Sequence, residues 1–142
     1  MTDRRATVVW EGDLFEGKGT ANLATSGIAG DLPVSWPSRA EDANGQTSPE
    51  ELLAAAHAAC FSMALSKQLA DRDVPPGRLE TSATVTFVPG TGITRSALTV
   101  QVTAEGLEQA TLDDAAGAAK GGCPVSTALA DSVEITLEAT VA

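Results

Sequence analysis

The chain has 142 residues, nine of them Lys or Arg and nineteen Asp or Glu, for a formal charge of −10. That length fits one domain with enough residues to bury a real core. The acidic balance argues against nucleic acid or an anionic membrane as partner. The opening MTDRRATVVWEG lacks the apolar core of a signal peptide. The longest apolar run, Leu52 to Leu65, contains His57 and falls short of the roughly twenty residues that span a bilayer. A cytoplasmic protein is expected, in which thiols are held reduced and a disulfide is catalytic rather than structural.

Arg5 to Trp10 is a β-branched run that ends in EGDLFEGKG, whose Gly and Asp residues suit a turn. Lys18 to Thr25 and Leu32 to Trp36 read as two further short strands, so the first third is expected to form an antiparallel meander. Pro37 to Gln46, PSRAEDANGQ, reads as a polar loop with Asn-Gly turn chemistry. It exceeds the usual connection of about four to six residues, which makes it a candidate functional loop.

Thr47 to Ala70 reads as a long helix. Thr47 or Ser48 can cap it, Pro49 sits where a missing N–H costs nothing, and Glu50 and Glu51 stand at the positive end of the dipole. Alanine and leucine crowd nearly every side, which predicts a central helix buried all round. Pro75-Pro76-Gly77 forbids its continuation. Leu79 to Val88 and Ile93 to Ala104 alternate as strands and should form a hairpin across PGTG. Thr111 to Lys120 is a short amphipathic helix closed by Gly121-Gly122. Cys123-Pro124 then opens another helical turn to about Ala130, and Val133 to Val141 is the last strand. The order βββ–α–ββ–α–β segregates strands from helices, so the class is α+β and residues 1–142 are expected to form a single domain.

Cys60 and Cys123 are the only cysteines. They can be two unrelated buried residues, since Cys packs as a small hydrophobe. His57 lies one turn before Cys60 and can be its base or simply a packed histidine. Two cysteines and one histidine, with no CxxC pair, are too few ligands for a metal site. A reactive-thiol reading has support from local context. Cys123 follows two glycines at a helix start, where free N–H groups favour a thiolate. Cys60 lies roughly 15 Å from the start of its helix, and its apolar neighbours raise its pKa. An ionised Cys60 therefore needs a cation from elsewhere. Arg39, in the polar loop, carries a guanidinium able to bond a sulfur and a carboxylate together.

SPEELLAAAHAACFSMALS around Cys60 and GCPVS around Cys123 resemble the osmotically inducible protein C (OsmC) branch of the OsmC/Ohr thiol peroxidases. WEGDLFEGKG, the SR of the loop and the closing strand fit the same pattern, so the resemblance covers essentially the whole chain. It implies an OsmC-like fold, with antiparallel sheets packed on a long central helix in an intertwined homodimer. It also implies that Cys60 attacks an organic hydroperoxide or hydrogen peroxide, and that Cys123 resolves the resulting sulfenic acid to a disulfide. By the same motifs Arg39 holds the thiolate and Glu50, the first Glu of SPEE, holds the arginine. No metal, haem or flavin is needed, and dithiols such as lipoyl proteins supply the electrons. With no tyrosine in the chain, the leaving oxygen must take its proton from Arg39, a water or Cys123.

Glu50 and Cys60 are ten residues apart on one helix, so an arginine held by Glu50 does not easily reach Cys60 within a chain. Two antiparallel copies crossing near Ala55 would bring residue 50 of one level with residue 60 of the other. The small residues Ala54, Ala55, Ala56, Ala58 and Ala59 permit that approach. The alternative is a helix bent near its start, with an internal site. Trp10, Trp36, Phe61 and Phe87 are candidates for contact with an alkyl chain, with core packing as the simpler role of each. A binding module for a small apolar ligand and a redox sensor remain as rival functions for the same cleft.

Overall fold

Three short strands, β1 (Thr7–Glu11), β2 (Lys18–Asn22) and β3 (Leu32–Val34), form an antiparallel sheet in that order. Trp10 stands opposite Gly19, where an added Cβ would come within 2.8 Å of the indole ring. The glycine lets the ring lie flat across the neighbouring strand. At Gly17 a Cβ would fall 2.1 Å from the Asp13 carbonyl, so the turn between β1 and β2 closes only without a side chain there.

The computed structural model describes all 142 residues, which divide into two compact units, residues 1–52 and residues 53–142. In the first unit the expected strand to Trp36 stops at Val34, and the expected polar loop begins as a helix, α1 (Trp36–Ala40). Ser35 and Ser38 form a reciprocal capping box, and Pro37 occupies the first turn, where it initiates rather than breaks. The remainder of the loop contains the expected turn, with Asn44 and Gly45 both at positive φ.

The long helix, α2 (Pro49–Ala70), starts as its residues require: the Glu51 N–H donates to Ser48 Oγ at 3.1 Å. In the second unit β4 (Arg78–Val88), β5 (Gly92–Thr103) and β6 (Glu134–Val141) form a sheet in the order β4-β5-β6. β4 and β5 make the expected hairpin, but β6 runs parallel to β5, so this sheet is mixed rather than antiparallel. The reason is the crossover through α3 (Gln109–Gly122) and α4 (Pro124–Leu129), which returns the chain to the end of β5 from which it can only run alongside. Gly121 and Gly122, expected beyond α3, are its last two residues.

Phe61, Leu65 and Leu69 of α2 pack with Leu98, Val100 and Val102 of β5 and with Leu112, Ala115, Ala116 and Ala119 of α3. The buried stripe of α2 is thus His57, Phe61, Leu65 and Leu69, at intervals of four residues. Burial all round is not observed in the single chain. Ala55, Ala56 and Ala59 are exposed, and Met63 is 73% exposed. One covering layer buries one stripe of a helix, and the second apolar stripe has no layer over it in this chain.

Candidate active site

The four residues singled out from the sequence form two pairs, one in each unit. In the first, Arg39 projects from α1 to Glu50 in the first turn of α2. Its Nε donates to Oε1 at 3.0 Å and to Oε2 at 3.3 Å, and its Nη2 donates to Oε1 at 2.8 Å. Glu50 is only 7% exposed, so a largely dehydrated carboxylate holds the guanidinium in a fork. Arg39 also forms one wall of an apolar cavity of about 430 Å³, lined by Val8, Trp10, Leu14, Trp36 and Leu52. Phe15 meets Trp36 edge to face, with ring centroids 6.1 Å apart. Of the four candidate aromatic contacts, Trp10 and Trp36 line this cavity, whereas Phe61 is fully buried core and Phe87 is half-buried on β4.

In the second unit Cys60 of α2 and Cys123, between α3 and α4, are both free thiols, and each shifts the ionisation of the other. Cys60 is partly exposed and opens on a groove of about 320 Å³ lined by Met63, Ala64, Lys67, Gly122 and Pro124. Cys123 is fully buried. Burial pushes the Cys60 thiol up; the Val125 N–H opposes this, and the neighbouring Cys123 adds to the rise. Burial would raise Cys123 as well, but the Ser126 N–H, the Cys60 thiol, the Ser126 hydroxyl and the Val125 N–H together hold it below its ordinary value. No bond of regular capping geometry forms at Cys123, so these groups act by surrounding the sulfur with positive dipole. Within the chain ionisation is therefore favoured at Cys123 over Cys60. Both tendencies match the sequence: an apolar mid-helix site for one, a helix start for the other.

His57 does not face Cys60 as a base. Its Nδ1 lies 2.7 Å from Ser96 Oγ and its Nε2 lies 2.8 Å from Ser126 Oγ, so both ring nitrogens are engaged. Burial lowers its pKa and keeps the ring neutral. Ser96 and Ser126 were not singled out from the sequence. A serine carries no signal of its own, and these two lie 39 and 69 residues from the ring that joins them. No three His, Cys, Asp or Glu side chains gather as a metal would require. No helix is long and apolar enough to cross a membrane.

Known proteins share this sequence and fold. The chain is 43% identical over 132 residues to Peroxiredoxin OsmC of Escherichia coli (strain K12), which covers 91% of this chain and 90% of that protein. Over 112 residues it is 32% identical to the organic hydroperoxide resistance protein OhrA of Bacillus subtilis (strain 168), covering 76% of this chain and 79% of the other. The crystal structure of the organic hydroperoxide resistance protein OhrB of Bacillus subtilis superposes with a TM-score of 0.65 at 25% identity, over 95% of this chain and 97% of that one. The OsmC family, described as OsmC-like protein, matches residues 42–138. With α1, α2 and the two three-stranded sheets in place, and both cysteine blocks within or beside the matched span, this chain belongs to the OsmC family.

Proposed function

We propose that the chain is a thiol-dependent hydroperoxide reductase, with residues 1–142 acting as one functional domain. The observation that carries the reading is the pair of free thiols that shift each other's ionisation, one open to a groove and the other buried. The Cys60 thiolate attacks the terminal oxygen of a hydroperoxide. An S–O bond forms, the O–O bond breaks, and the alkoxide leaves and takes a proton to become the alcohol. Cys123 then attacks the sulfenic sulfur of Cys60, forming the disulfide and releasing water, before further peroxide can over-oxidise Cys60. A dithiol, of which a lipoyl protein is one kind, reduces the disulfide and closes the cycle. The apolar cavity beside Arg39, walled by Trp10 and Trp36, suits the organic part of a hydroperoxide better than it suits water.

In this reading the guanidinium of Arg39, fixed by Glu50, moves the charge from Cys123 to Cys60 when it approaches the sulfur, and it stabilises the departing oxygen. The two residues act on the Cys60 of a second copy. Support comes from the ten residues of continuous helix between Glu50 and Cys60, about 15 Å of rise, and from the exposed stripe of Ala55, Ala56, Ala59 and Met63. Turnover should fall with dilution as dimer gives way to monomer, measured by specific activity beside sedimentation. A monomer with full activity sinks the shared site.

The reading itself is tested by treating the reduced protein with one equivalent of cumene hydroperoxide and analysing it by mass spectrometry. One Cys60–Cys123 disulfide per chain is expected. Cys123→Ser should consume one equivalent and then stall with Cys60 as sulfenic or sulfinic acid, cutting steady-state turnover at least about a hundredfold. If no cysteine is oxidised at that stoichiometry, the chain is not a thiol peroxidase.

A further inference from the structure

One wall of the cavity beside Arg39 is held in place at three points. Trp10 of β1 lies across the start of β2, where Gly17 and Gly19 flank Lys18. A Cβ on Gly17 would fall 2.9 Å from the indole Cζ2, and one on Gly19 would fall 2.8 Å from Cε3. Neither position accepts a side chain while the ring stays where it is. The indole N–H donates to the Gly12 carbonyl at 3.1 Å, which fixes the ring against rotation. Backed in this way, Trp10 is still 40% exposed and lines the cavity of about 430 Å³. Trp36 lines it too, braced edge to face by Phe15. All of these residues lie within the first unit. Apart from the Arg39 guanidinium, the lining carries no charge. A flat ring that cannot turn aside meets a flat partner without losing rotamer freedom, and an aromatic pair gains more than its buried area alone supplies. A flexible alkyl chain has its own rotors to freeze and no ring quadrupole to match.

We infer that Trp10 is a specificity-determining residue: a fixed aromatic wall that selects hydroperoxides with an aryl body over small alkyl hydroperoxides. The inference rests on the peroxidase reading and narrows it to a substrate class. The aryl group lies against the indole, and the O–O group lies toward Arg39, where the cavity carries its charge. Trp10 touches no reacting oxygen. It binds the body of the substrate equally before and during bond breaking, so its effect belongs in KM rather than kcat. Gly19 is a positioning residue that acts through the ring, because only a residue without Cβ lets the indole lie where it does.

Cumene hydroperoxide and tert-butyl hydroperoxide differ by a phenyl group in place of a methyl. The protein should favour the cumyl substrate in kcat/KM, and Trp10→Ala should lower the ratio of the two constants at least about tenfold, chiefly through KM. Both constants come from one preparation, so a variant that folds only in part still gives its true ratio. Trp10→Phe, which keeps a flat ring, should restore most of it. Gly19→Ala should lower it with Trp10 intact, since the added Cβ displaces the ring. A second readout needs no turnover. With two tryptophans in the chain, the nitrogen–proton spectrum holds two indole signals, and the one lost in Trp10→Ala belongs to Trp10. Titrating the reduced protein with 2-phenyl-2-propanol, the alcohol that cumene hydroperoxide yields, should shift that signal. Its Kd should rise at least about tenfold in Trp10→Ala. A wild-type ratio in either alanine variant overturns the inference. So does a Trp10 signal unmoved by the alcohol, or a phenylalanine variant as impaired as Trp10→Ala. If the alcohol binds at Trp10 and weakens as expected in Trp10→Ala, but no form of the protein consumes either peroxide, the peroxidase reading has failed and the aryl site has not.

Discussion

Cys60→Ser should reduce hydroperoxide turnover by at least about a thousandfold, to the level of the uncatalysed reaction with the dithiol. A serine hydroxyl is neither ionised near neutral pH nor a useful nucleophile toward an O–O bond, so nothing else at this position substitutes for sulfur. The outcome is not trivial, because charge and access point to different cysteines. In the single chain the thiolate is favoured at Cys123, by the dipoles at the start of α4 and by the Cys60 thiol. Cys123, however, is fully buried, whereas Cys60 is partly exposed and opens on the groove beside Met63 and Pro124. A substrate reaches Cys60 first. Comparing cumene hydroperoxide consumption by Cys60→Ser and Cys123→Ser separates the two orders. Full turnover in Cys60→Ser removes the assignment, and a first turnover that survives Cys60→Ser but not Cys123→Ser reverses the roles.

Arg39→Ala should slow the reaction of peroxide with Cys60 by about two to three orders of magnitude, the usual loss when a fixed donor to a developing charge is removed. The structure adds a second consequence. The sequence places Arg39 in a polar loop, where a side chain ordinarily contributes little to stability. In the structure it belongs to α1 and forks onto a carboxylate that is 7% exposed. Removing it strands Glu50, so a loss of about 1–3 kcal/mol in stability is expected as well, below the full cost of breaking a buried pair because the arginine side chain is 31% exposed. Arg39→Lys separates the effects. It keeps the positive charge and part of the pairing but not the planar fork, so its rate should fall between wild type and alanine while most of the stability returns. Thermal melts and the second-order rate constant of each variant give the comparison. A wild-type rate in Arg39→Ala would mean that Cys60 is ionised by something other than this guanidinium.

Elements whose cause is local were legible from the residues alone. Ser48, Pro49 and Glu50 mark the start of α2, the alternation in β4 and β5 marks their hairpin, and Asn44-Gly45 marks a turn. The one local element that escaped was α1, because its capping box uses serine where glutamate is the usual sign and its Pro37 stands at a position that starts a helix as readily as it breaks a strand. The direction of β6 lay outside what local pattern contains. A strand alternates in the same way whether it runs with or against its neighbour, and the crossover through α3 and α4 sets the choice.

The same division holds for the site. The residue types in the two cysteine blocks, and the environments that make one sulfur reluctant and the other willing to ionise, follow from neighbours within a few positions along the chain. That Cys60 and Cys123, 63 residues apart, shift each other's ionisation, that Arg39 grips a buried Glu50, and that Ser96 and Ser126 meet on opposite sides of one imidazole are consequences of folding alone. Hydrogen bonds and charge act through a few ångströms of space, and which groups come that close depends on how helices and sheet pack, not on their distance in the chain.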